Sequence, residues 1–554
     1  MEIDGRTIDR NETLQADICI IGAGTAGMTL AHTFINNGCD VLLLESGGLK
    51  PDKQSQLLSY GENVGHPYFP LDTARPRGLG GSTNRWLLAM GDNQFGARMR
   101  PLDSIDFEKR EEIPYSGWPF SKTTLDPYYN RAEEFCKITP HGFQLEDWID
   151  IEKTPPLPLN SKIVDTVIFK FGSRNPFLNE YAEDIRKAKN IKLLTHSTVL
   201  DIKANENVKN IEKVTAACLN GKKFQISAKI YVLACGGIET PRLMLLSNKQ
   251  QSAGLGNQHD LVGRFFMEHL HFHSGLFIPA DPYMFHKTTF YNMVHKANGV
   301  NVLGKLALAD HVLRQEKLMH YVVQLKPLIA AHSSILEFVF PAIESQGVES
   351  LRLFRNSFMH GKIPAETGKH LKNILANGNE VLLTIYRNLK KKTLRSLSRK
   401  KIRVYTLHHM SEQAPNPESR VALGQEKDFF CQNRVSLNWH VSPIDIHSAI
   451  RSQEILAKEF KKSGVGQFFL TMKSELLPHP VYGGWHHMGT TRMNDNPKQG
   501  VVDSNGRVHG LSNLYITGPS VFPTGGYANP CLTLVALTLR LSDHLKMQNR
   551  VNAT

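Results

Sequence analysis

Hydrophobic and polar positions near the start of the chain predict two buried strands that flank a helix. The segment "DICII", residues 17–21, is mainly apolar and predicts a short strand with both faces buried. A helical pattern follows over Met28–Asn37, Gly38 ends it, and "DVLLLE" predicts a second buried strand that ends at Glu45. Strand, helix and strand in this order predict a βαβ unit.

The turn between the first strand and the helix reads "GAGTAG" and predicts a dinucleotide site. Gly22 permits the tight turn, Gly24 lets the backbone approach a pyrophosphate, and Gly27 lets the helix pack closely on the strand. The helix N-terminus faces the phosphates, and Glu45 can accept hydrogen bonds from the ribose hydroxyls. NAD and FAD both fit this unit, and an ordinary βαβ unit whose glycine turn binds nothing is the simpler alternative.

Three later stretches favour FAD. Residues 75–86 ("RPRGLGGSTNRW") form a glycine-rich loop whose N–H groups and hydroxyls suit a phosphate and the edge of a flavin ring. Residues 229–247 and 513–545 each predict a buried strand, a glycine-containing turn and a helix, and these helices are expected to begin near Pro241 and at Pro530. In the middle of the chain, residues 269–278 and 319–329 predict strands, and no internal repeat is visible.

The net charge of +13 is concentrated in one segment, because Arg387–Arg403 contains nine Lys or Arg residues and no acid. A solvated surface helix or loop is the simplest interpretation. The alternative is a contact with an acidic partner or with an anionic membrane surface. Nucleic acid is not expected as a partner, because the segment has no aromatic residues that could stack on bases.

Seven scattered cysteines and a polar N-terminus indicate a cytoplasmic protein. The cysteines form no Cys-x-x-Cys pair, which argues against a disulfide framework and a zinc finger. The first residues lack the basic and then apolar pattern of a secretory signal. No apolar stretch reaches the ~18 residues of a membrane span, and the longest candidate, Leu328–Phe340, is ended by Pro341.

Histidines supply the candidate chemistry. Two of them are adjacent in "WHHMGTTRM", residues 485–493, and the pair alone does not show whether either is a base. His269, His271 and His273 alternate along a predicted strand, a spacing that could hold a metal. No carboxylate or cysteine completes that set, so no metal is expected. A hydrolase is not supported, because the chain has no G-x-S-x-G motif.

The motifs, in their order along the chain, resemble the glucose-methanol-choline (GMC) family of flavin oxidoreductases. Besides the glycine fingerprint they are "GLGGST", "WPFSKTTLDPYYNRAEEF", "ACGGIETPRLMLLS", "LVGRFFMEH", "SEQAPNPESRVAL", "HHMGTTRM" and "FPTGGYANPCLT". The "WP…PYY" and "PNPESRV" segments are most similar to the sugar-oxidising branch, which includes pyranose oxidase and the fructose and gluconate dehydrogenases. Residues 285–406 match little of the family pattern.

The resemblance implies an α/β protein of two domains. One is a doubly wound, Rossmann-like FAD-binding domain assembled from discontinuous segments, expected over residues 1–110, 191–268 and 479–554. The other is an α+β substrate domain with an antiparallel sheet, expected over residues 111–190 and 269–478.

The resemblance also implies which residues contact FAD. They are Gly22, Gly24, Thr25, Ala26, Gly27, Glu45, Ser46, Gly80, Gly81, Ser82, Asn84, Val199, Cys235, Gly236, Gly518, Asn529, Pro530 and Leu532. In some relatives a histidine in the glycine loop bonds covalently to the flavin. That place falls on Arg85 here, so non-covalent FAD is expected.

The reaction that the family implies is alcohol oxidation, in which hydride passes to flavin N5 and the hydroxyl proton passes to a base. A neutral histidine suits that base. The family's catalytic histidine lies three residues before the Gly of the Gly-Thr step, which makes His486 the base and leaves His487 to packing. Asn529 takes the second catalytic position, where its amide can donate to the substrate oxygen, and it can also cap the helix that follows.

The leading hypothesis is therefore an FAD-dependent oxidoreductase that acts on a hydroxyl of a sugar, glycoside or aminoglycoside. O₂, a quinone or a partner protein could be the electron acceptor. Three alternatives stay open: a non-redox lyase of the same family, a dehydrogenase subunit coupled to an electron-transfer partner, and a non-enzymatic flavoprotein.

Overall fold

In the computed structural model, the described residues are 1–91, 94–138, 142–148, 155–281, 285–292, 294–327, 350, 367–376, 404–472 and 481–553. The basic segment 387–403 and the apolar stretch 328–340 lie outside these residues, so what was expected of them stays a prediction. Within the described ranges, no helix combines the length and the apolar composition that a bilayer crossing needs.

The strands of the described residues are numbered in chain order. They are β1 (Glu2–Asp4), β2 (Thr13–Ile21), β3 (Val41–Leu44), β4 (Gly61–Asn63), β5 (Leu88–Gly91), β6 (Gln94–Met99), β7 (Val164–Ser173), β8 (Ile191–Thr195), β9 (Thr198–Ala204), β10 (Ile211–Ala217), β11 (Lys223–Leu233), β12 (Leu270–Pro279), β13 (His295–Ala297), β14 (Val300–Leu308), β15 (Tyr321–Pro327), β16 (Tyr405–Ser411), β17 (Arg420–Lys427), β18 (Asn433–Asn438), β19 (Gly466–Phe469) and β20 (Leu514–Ile516).

The α-helices are numbered in the same way. They are α1 (Thr25–Thr33), α2 (Lys53–Leu57), α3 (Leu71–Ala74), α4 (Lys122–Phe135), α5 (Ala182–Lys187), α6 (Gly236–Leu246), α7 (Phe285–Asn292), α8 (Asp310–Glu316), α9 (Thr367–Ala376), α10 (Pro443–Lys462) and α11 (Cys531–Ala553).

The first sheet is built from both ends of the chain and from its middle. Its strand order is β1-β8-β3-β2-β11-β10-β9, and β20 also pairs with β11. The pairs from β1 to β11 and the β11–β20 pair are parallel, whereas β10 pairs antiparallel with both of its neighbours. All four residues of β3 are buried, as a strand covered on both faces requires. Helix α1 packs against α11, which also contacts α4.

The second sheet is antiparallel throughout and has the order β19-β12-β16-β15-β14-β7-β6-β5, with β13 paired to β14. A third, small sheet has the order β17-β18-β4. A mainly parallel sheet together with an antiparallel sheet confirms the predicted α/β fold class. The exact domain boundaries stay a prediction, but β5 and β6, which the prediction puts in the FAD-binding domain, pair in the second sheet.

Two helices begin or end away from the predicted residues, each for a local reason. Helix α1 ends at Thr33 rather than Asn37, because Asn36 has a left-handed backbone (φ 57°) that a helix cannot continue. Helix α6 begins at Gly236 and includes Pro241. Proline lacks the N–H that would bond to the carbonyl of Gly237. The Thr490 hydroxyl donates to that carbonyl instead, at 2.6 Å.

Candidate active site

One cleft connects the glycine turn of the first sheet with the second sheet and with the histidine pair. Its volume is about 450 Å³, within the range of small-molecule sites. Strand β6 contributes Arg98 to the lining, and strand β12 contributes His271. The predicted site residues that line it are Gly22, Gly24, Thr25, Ala26, Glu45, Ser46, Gly81, Ser82, Arg85, Val199, Cys235, Gly236, His486, Gly518, Asn529 and Pro530.

Four predicted cofactor residues lie behind the cleft wall and do not line it. Leu532 is fully buried in the hydrophobic core. The Asn84 amide donates to two carbonyls of its own loop, both at 3.0 Å. Gly80 has a left-handed backbone and its N–H donates to a carbonyl of the glycine turn at 2.8 Å. A Cβ on Gly27 would lie 1.8 Å from the carbonyl oxygen of Gly22, so this glycine serves the close packing of helix on strand.

The glycines that do line the cleft leave room for a ligand. A Cβ added to Gly24 or to Gly236 would meet no protein atom within 4 Å, although both positions are in the cleft wall. Gly22 is different, because its Cβ would lie 2.7 Å from the carbonyl oxygen of Ala234 and its φ is 104°. The open cradle at Gly24, at the N-terminus of α1, fits the pyrophosphate of a dinucleotide such as FAD.

Glu45 is held in place by the backbone around it. Its carboxylate accepts hydrogen bonds from the N–H groups of Ala23 (3.2 Å), Gly47 (2.9 Å) and Gly78 (3.0 Å). Burial raises the pKa of the carboxyl, and these three hydrogen bonds offset part of that effect. An ionised carboxylate has about four acceptor positions, so an oxygen of Glu45 can still accept from a ribose hydroxyl in the cleft.

An arginine cluster beside Glu45 was not predicted from the sequence. Arg75 and Arg77 both form ion pairs with Glu239, at 2.5 and 2.9 Å, and Arg242 adds a third at 2.6 Å. Burial alone would raise the pKa of Glu239, but the three guanidiniums hold it well below its usual range. All four residues line the cleft. The two arginines in "RPRGLGG" are the signal that could have indicated this cluster.

His486 and Asn529 are in direct contact. The Asn529 amide nitrogen can only donate, so the Nε2 atom of His486, 2.9 Å away, accepts the hydrogen bond. Burial lowers the pKa of His486 well below its usual range, and the positive charge of Arg98 adds to this effect. The imidazole is therefore neutral at neutral pH, with its Nε2 lone pair beside the Asn529 amide.

His269 determines the tautomer of His486. The Nδ1 atoms of the two rings are 2.8 Å apart, and His486 must carry its proton on Nδ1 because Nε2 is an acceptor. His269 Nδ1 therefore accepts this hydrogen bond. The His269 side chain is fully buried, and burial lowers its pKa to about 4, so it is also neutral. The sequence suggested His269 only as part of a possible metal site.

Glu268 holds the backbone that carries His486. Its carboxylate is fully buried and accepts hydrogen bonds from the N–H groups of Gly484 (2.9 Å), His486 (2.9 and 3.0 Å) and His269 (3.2 Å), and from the Tyr68 hydroxyl. Burial raises its pKa to about 7. Glu268 was not predicted from the sequence as a site residue, although it directly precedes His269 in "LVGRFFMEH".

The second histidine of the pair makes a different contact. His487 Nε2 lies 2.9 Å from the Tyr68 hydroxyl, and its ring packs near Phe266 with the centroids 5.9 Å apart. Burial lowers its pKa to about 3. His487 is part of the cleft wall, but it is Nε2 of His486 that contacts Asn529.

The three histidines of "EHLHFH" do not share one ligand position. His269 contacts His486, whereas His271 Nδ1 lies 3.2 Å from His408 Nε2. Among the described residues, the set with ligand atoms close enough for a metal is Asp103, Asp106 and His320. Asp106 and His320 share a hydrogen bond of 2.7 Å, and neither residue lines the cleft.

The comparisons with known proteins agree with this geometry. Two family models described as GMC oxidoreductase match residues 162–271 and 415–538. The chain is 24% identical to the fructose dehydrogenase large subunit of Gluconobacter japonicus, over 96% of this chain and 98% of the relative. It is 22% identical to the 2-methyl-1,2-propanediol dehydrogenase of Mycolicibacterium austroafricanum (96% and 95%) and 23% identical to the paromamine 6'-oxidase of Streptomyces fradiae (95% and 90%).

A solved structure shows the same fold. The formate oxidase of Aspergillus oryzae, from a study of its FAD modification, matches with a TM-score of 0.52 at 16% identity and covers 99% of both chains.

Proposed function

We propose that this chain, which matches two GMC oxidoreductase family models, binds FAD non-covalently and oxidises a hydroxyl of a sugar or sugar-like compound. The observation that carries the proposal is the 2.9 Å contact between Asn529 and His486 Nε2 in the cleft that also holds the glycine turn. A carbinol placed at this contact meets a neutral base and a hydrogen-bond donor together.

The residues divide the proton chemistry between them. His486 Nε2 takes the hydroxyl proton. The substrate oxygen then has the character of an alkoxide, which makes the carbinol carbon a better hydride donor. The Asn529 amide donates to that oxygen while it carries negative charge. His269 keeps the accepting tautomer, and Glu268 keeps the His486 backbone in place. FAD, when bound, supplies the acceptor for the hydride that leaves the carbinol carbon, so the substrate leaves as a carbonyl compound.

The sugar-like substrate is supported by two relatives that are named for acting on fructose and paromamine. A relative named for a small diol supports a second candidate, a vicinal diol. The non-covalent attachment is supported by Arg85, because an arginine has no imidazole that could bond to the flavin. The guanidinium of Arg85 lies 5.6 Å from the centroid of the Trp485 ring.

The test is an anaerobic titration of the FAD-loaded protein with fructose, glucose, a methyl glycoside, paromamine and 2-methyl-1,2-propanediol. We expect one class to bleach the visible flavin absorbance. His486→Ala should slow the bleaching by about 10²–10⁴-fold, and Asn529→Ala by about 10²–10³-fold. The control His259→Ala removes an exposed histidine outside the cleft lining and should change nothing.

Two further steps complete the test. Acid denaturation should release the flavin into the supernatant, whereas flavin that stays with the protein would refute non-covalent binding. Recolouring with air, with a quinone or only with a protein fraction identifies the electron acceptor. If no alcohol bleaches the bound flavin but a cyanohydrin or similar adduct is cleaved, the oxidoreductase proposal fails and the lyase alternative stands.

A further inference from the structure

One face of the second sheet carries three cationic side chains beside the candidate active site. In a sheet, residues paired across strands share a face, and alternate residues of one strand do too. Arg98 on β6 pairs with Phe171 of β7, and Lys305 on β14 pairs with Val167 of β7. Phe171 and Val167 are four residues apart on one strand, so Arg98 and Lys305 are on the same face of the sheet. Ala307 pairs with Val322 of β15, which places Lys305 and Lys326 on that face as well.

The same face of the second sheet lies beside the candidate catalytic residues. Pairing from β15 through β16 to β12 adds His408 and His271 to it. His271 and Arg98 line the cleft together with His486. Phe169 is on this face as well, and the centroid of its ring lies 5.9 Å from that of Tyr527. Tyr527 precedes Asn529 by two residues.

The three cations have no anionic partner in the described part of the chain. Lys305 is fully buried, and its ammonium has no hydrogen-bond partner there. Its Nζ atom lies 4.7 Å from the centroid of the Phe169 ring. The Nε atom of Arg98 is also buried without a partner. Asp165 is on the same face, but the charged groups that act on it are Arg100, Glu146 and Asp103.

The lowered pKa values of the three side chains are those expected of basic groups that lack a neighbouring anion. Burial, and then Arg98 and Lys326, lower the pKa of Lys305 well below its usual range. Burial and Arg98 lower the pKa of Lys326 to about 8, and burial lowers that of Arg98 to about 10. An unpaired cation is unfavourable in a buried site, which is why these pKa values are lowered. A bound anion would offset that cost and restore the positive charge of Lys305, so the cluster provides a site for an anion.

We propose that the substrate carries an oxyanion, a carboxylate or a phosphate ester, that Arg98 binds directly in the cleft while Lys305 and Lys326 add positive potential behind it. This inference rests on the proposed function and narrows its substrate class. It favours sugar acids or sugar phosphates over polycationic aminoglycosides, which the cluster would repel. The forked guanidinium of Arg98 suits the planar carboxylate best.

The first experiment measures binding without turnover. Malonate and inorganic phosphate carry no oxidisable hydroxyl, and malonamide is a neutral match for malonate. We expect calorimetric titration of the FAD-loaded protein to show binding of at least one anion and not of malonamide. Arg98→Gln should weaken that binding by at least about 30-fold, and Arg98→Lys should retain part of it. Lys192→Gln, an exposed residue of the first sheet, is the charge-matched control.

The second experiment compares turnover of glucuronate and of glucose 6-phosphate with that of glucose. The inference expects kcat/KM to favour an anionic sugar over glucose, and Arg98→Gln to lower the ratio of the two kcat/KM values to about one. Equal kcat/KM values for the anionic sugars and glucose in the wild-type protein would contradict it. A preference for glucuronate identifies a carboxylate site, and a preference for glucose 6-phosphate identifies a phosphate site.

The outcomes separate this inference from the proposed function. If neutral sugars bleach the flavin while neither anion binds, or if Arg98→Gln binds the anions as well as wild type does, the anion site is refuted and alcohol oxidation stands. If the anions bind through Arg98 but no alcohol bleaches the flavin, the anion site stands and the proposed function is refuted.

Discussion

A single buried carboxylate, that of Glu268, fixes the backbone of the candidate base. Its oxygens accept hydrogen bonds from three backbone N–H groups and from a tyrosine hydroxyl, so the carboxylate is the acceptor in each of these bonds. Glutamine cannot replace it fully, because an amide has one acceptor atom and two N–H donors. One of these donors would face backbone N–H groups, at a cost of about 1–3 kcal/mol for each buried group left unpaired.

The raised pKa of Glu268 predicts how stability changes with pH. Burial moves this pKa from 4.5 in the unfolded chain to about 7 in the fold, so between these values the folded state binds the extra proton. The free energy of unfolding contributed by this group is therefore full below pH ~4.5 and falls as pH rises through about 7, by up to ~3 kcal/mol.

The measurement is the urea-unfolding free energy of wild type and of Glu268→Gln at intervals from pH 5 to pH 8. The difference between the two proteins should shrink toward pH 8, because only wild type loses this contribution. Glu418→Gln, which changes an exposed glutamate, is the control for the loss of one carboxylate. A difference that is constant or grows with pH would contradict the assignment.

His269 is expected to act on the reaction through the tautomer of His486. Replacing it with alanine removes the acceptor for the Nδ1 proton, and we expect kcat to fall by about 10–100-fold, as for other residues that orient a reacting imidazole. His269→Gln offers an amide oxygen near the same place and should recover part of the loss. Substrate KM and the melting temperature of the glutamine variant should change little. An alanine variant with the kcat of the wild-type protein would contradict this role of His269.

At the level of elements, local patterns in the sequence predicted the first sheet better than the second. The βαβ unit is encoded by neighbouring residues, so strands β2 and β3 lie where the apolar runs predicted them. Helix α6 includes Pro241, and Thr490, far along the chain, donates to the carbonyl of Gly237 that the proline leaves without a helical partner.

Long-range pairing also explains why the cationic face could not be predicted. Arg98, Lys305 and Lys326 lie on three strands, and only the register of the second sheet places them on one side. His486 and Asn529 could be selected from the sequence because each lies in a specific motif. Glu268 and His269 could not be given roles, since these depend on contacts with residues more than 200 positions away.

Two glycines of the βαβ unit separate the stability of this element from its capacity to bind a cofactor. A Cβ at Gly27 would collide with the Gly22 carbonyl, 1.8 Å away, so Gly27→Ala should force α1 off β2 and destabilise the protein even without FAD. A Cβ at Gly24 would meet no protein atom, so Gly24→Ala should fold normally but lose affinity for FAD. Thermal unfolding of the FAD-free proteins and FAD titration test both expectations. Normal FAD affinity in Gly24→Ala would remove this turn from the binding site.

At the level of the whole molecule, the cleft joins parts of the chain that are far apart in sequence. Its wall draws on the glycine turn and loop near the N-terminus, on α6, on strands of the second sheet and on the segment before α11. The first sheet itself needs strands from both ends and from the middle of the chain. A ligand that fills the cleft therefore contacts most of the segments whose association defines the fold.

This arrangement predicts that FAD stabilises the entire molecule and not only one domain. Binding to the folded state alone adds RT ln(1 + [L]/Kd), which is about 2.7 kcal/mol when free FAD is at 100 times its Kd. Removing FAD should lower the melting temperature of a single transition, and adding it back should restore the melting temperature. Gly24→Ala should gain much less from the same concentration. If FAD raised only one of two separate transitions, the two sheets would unfold independently and the cleft would not couple them.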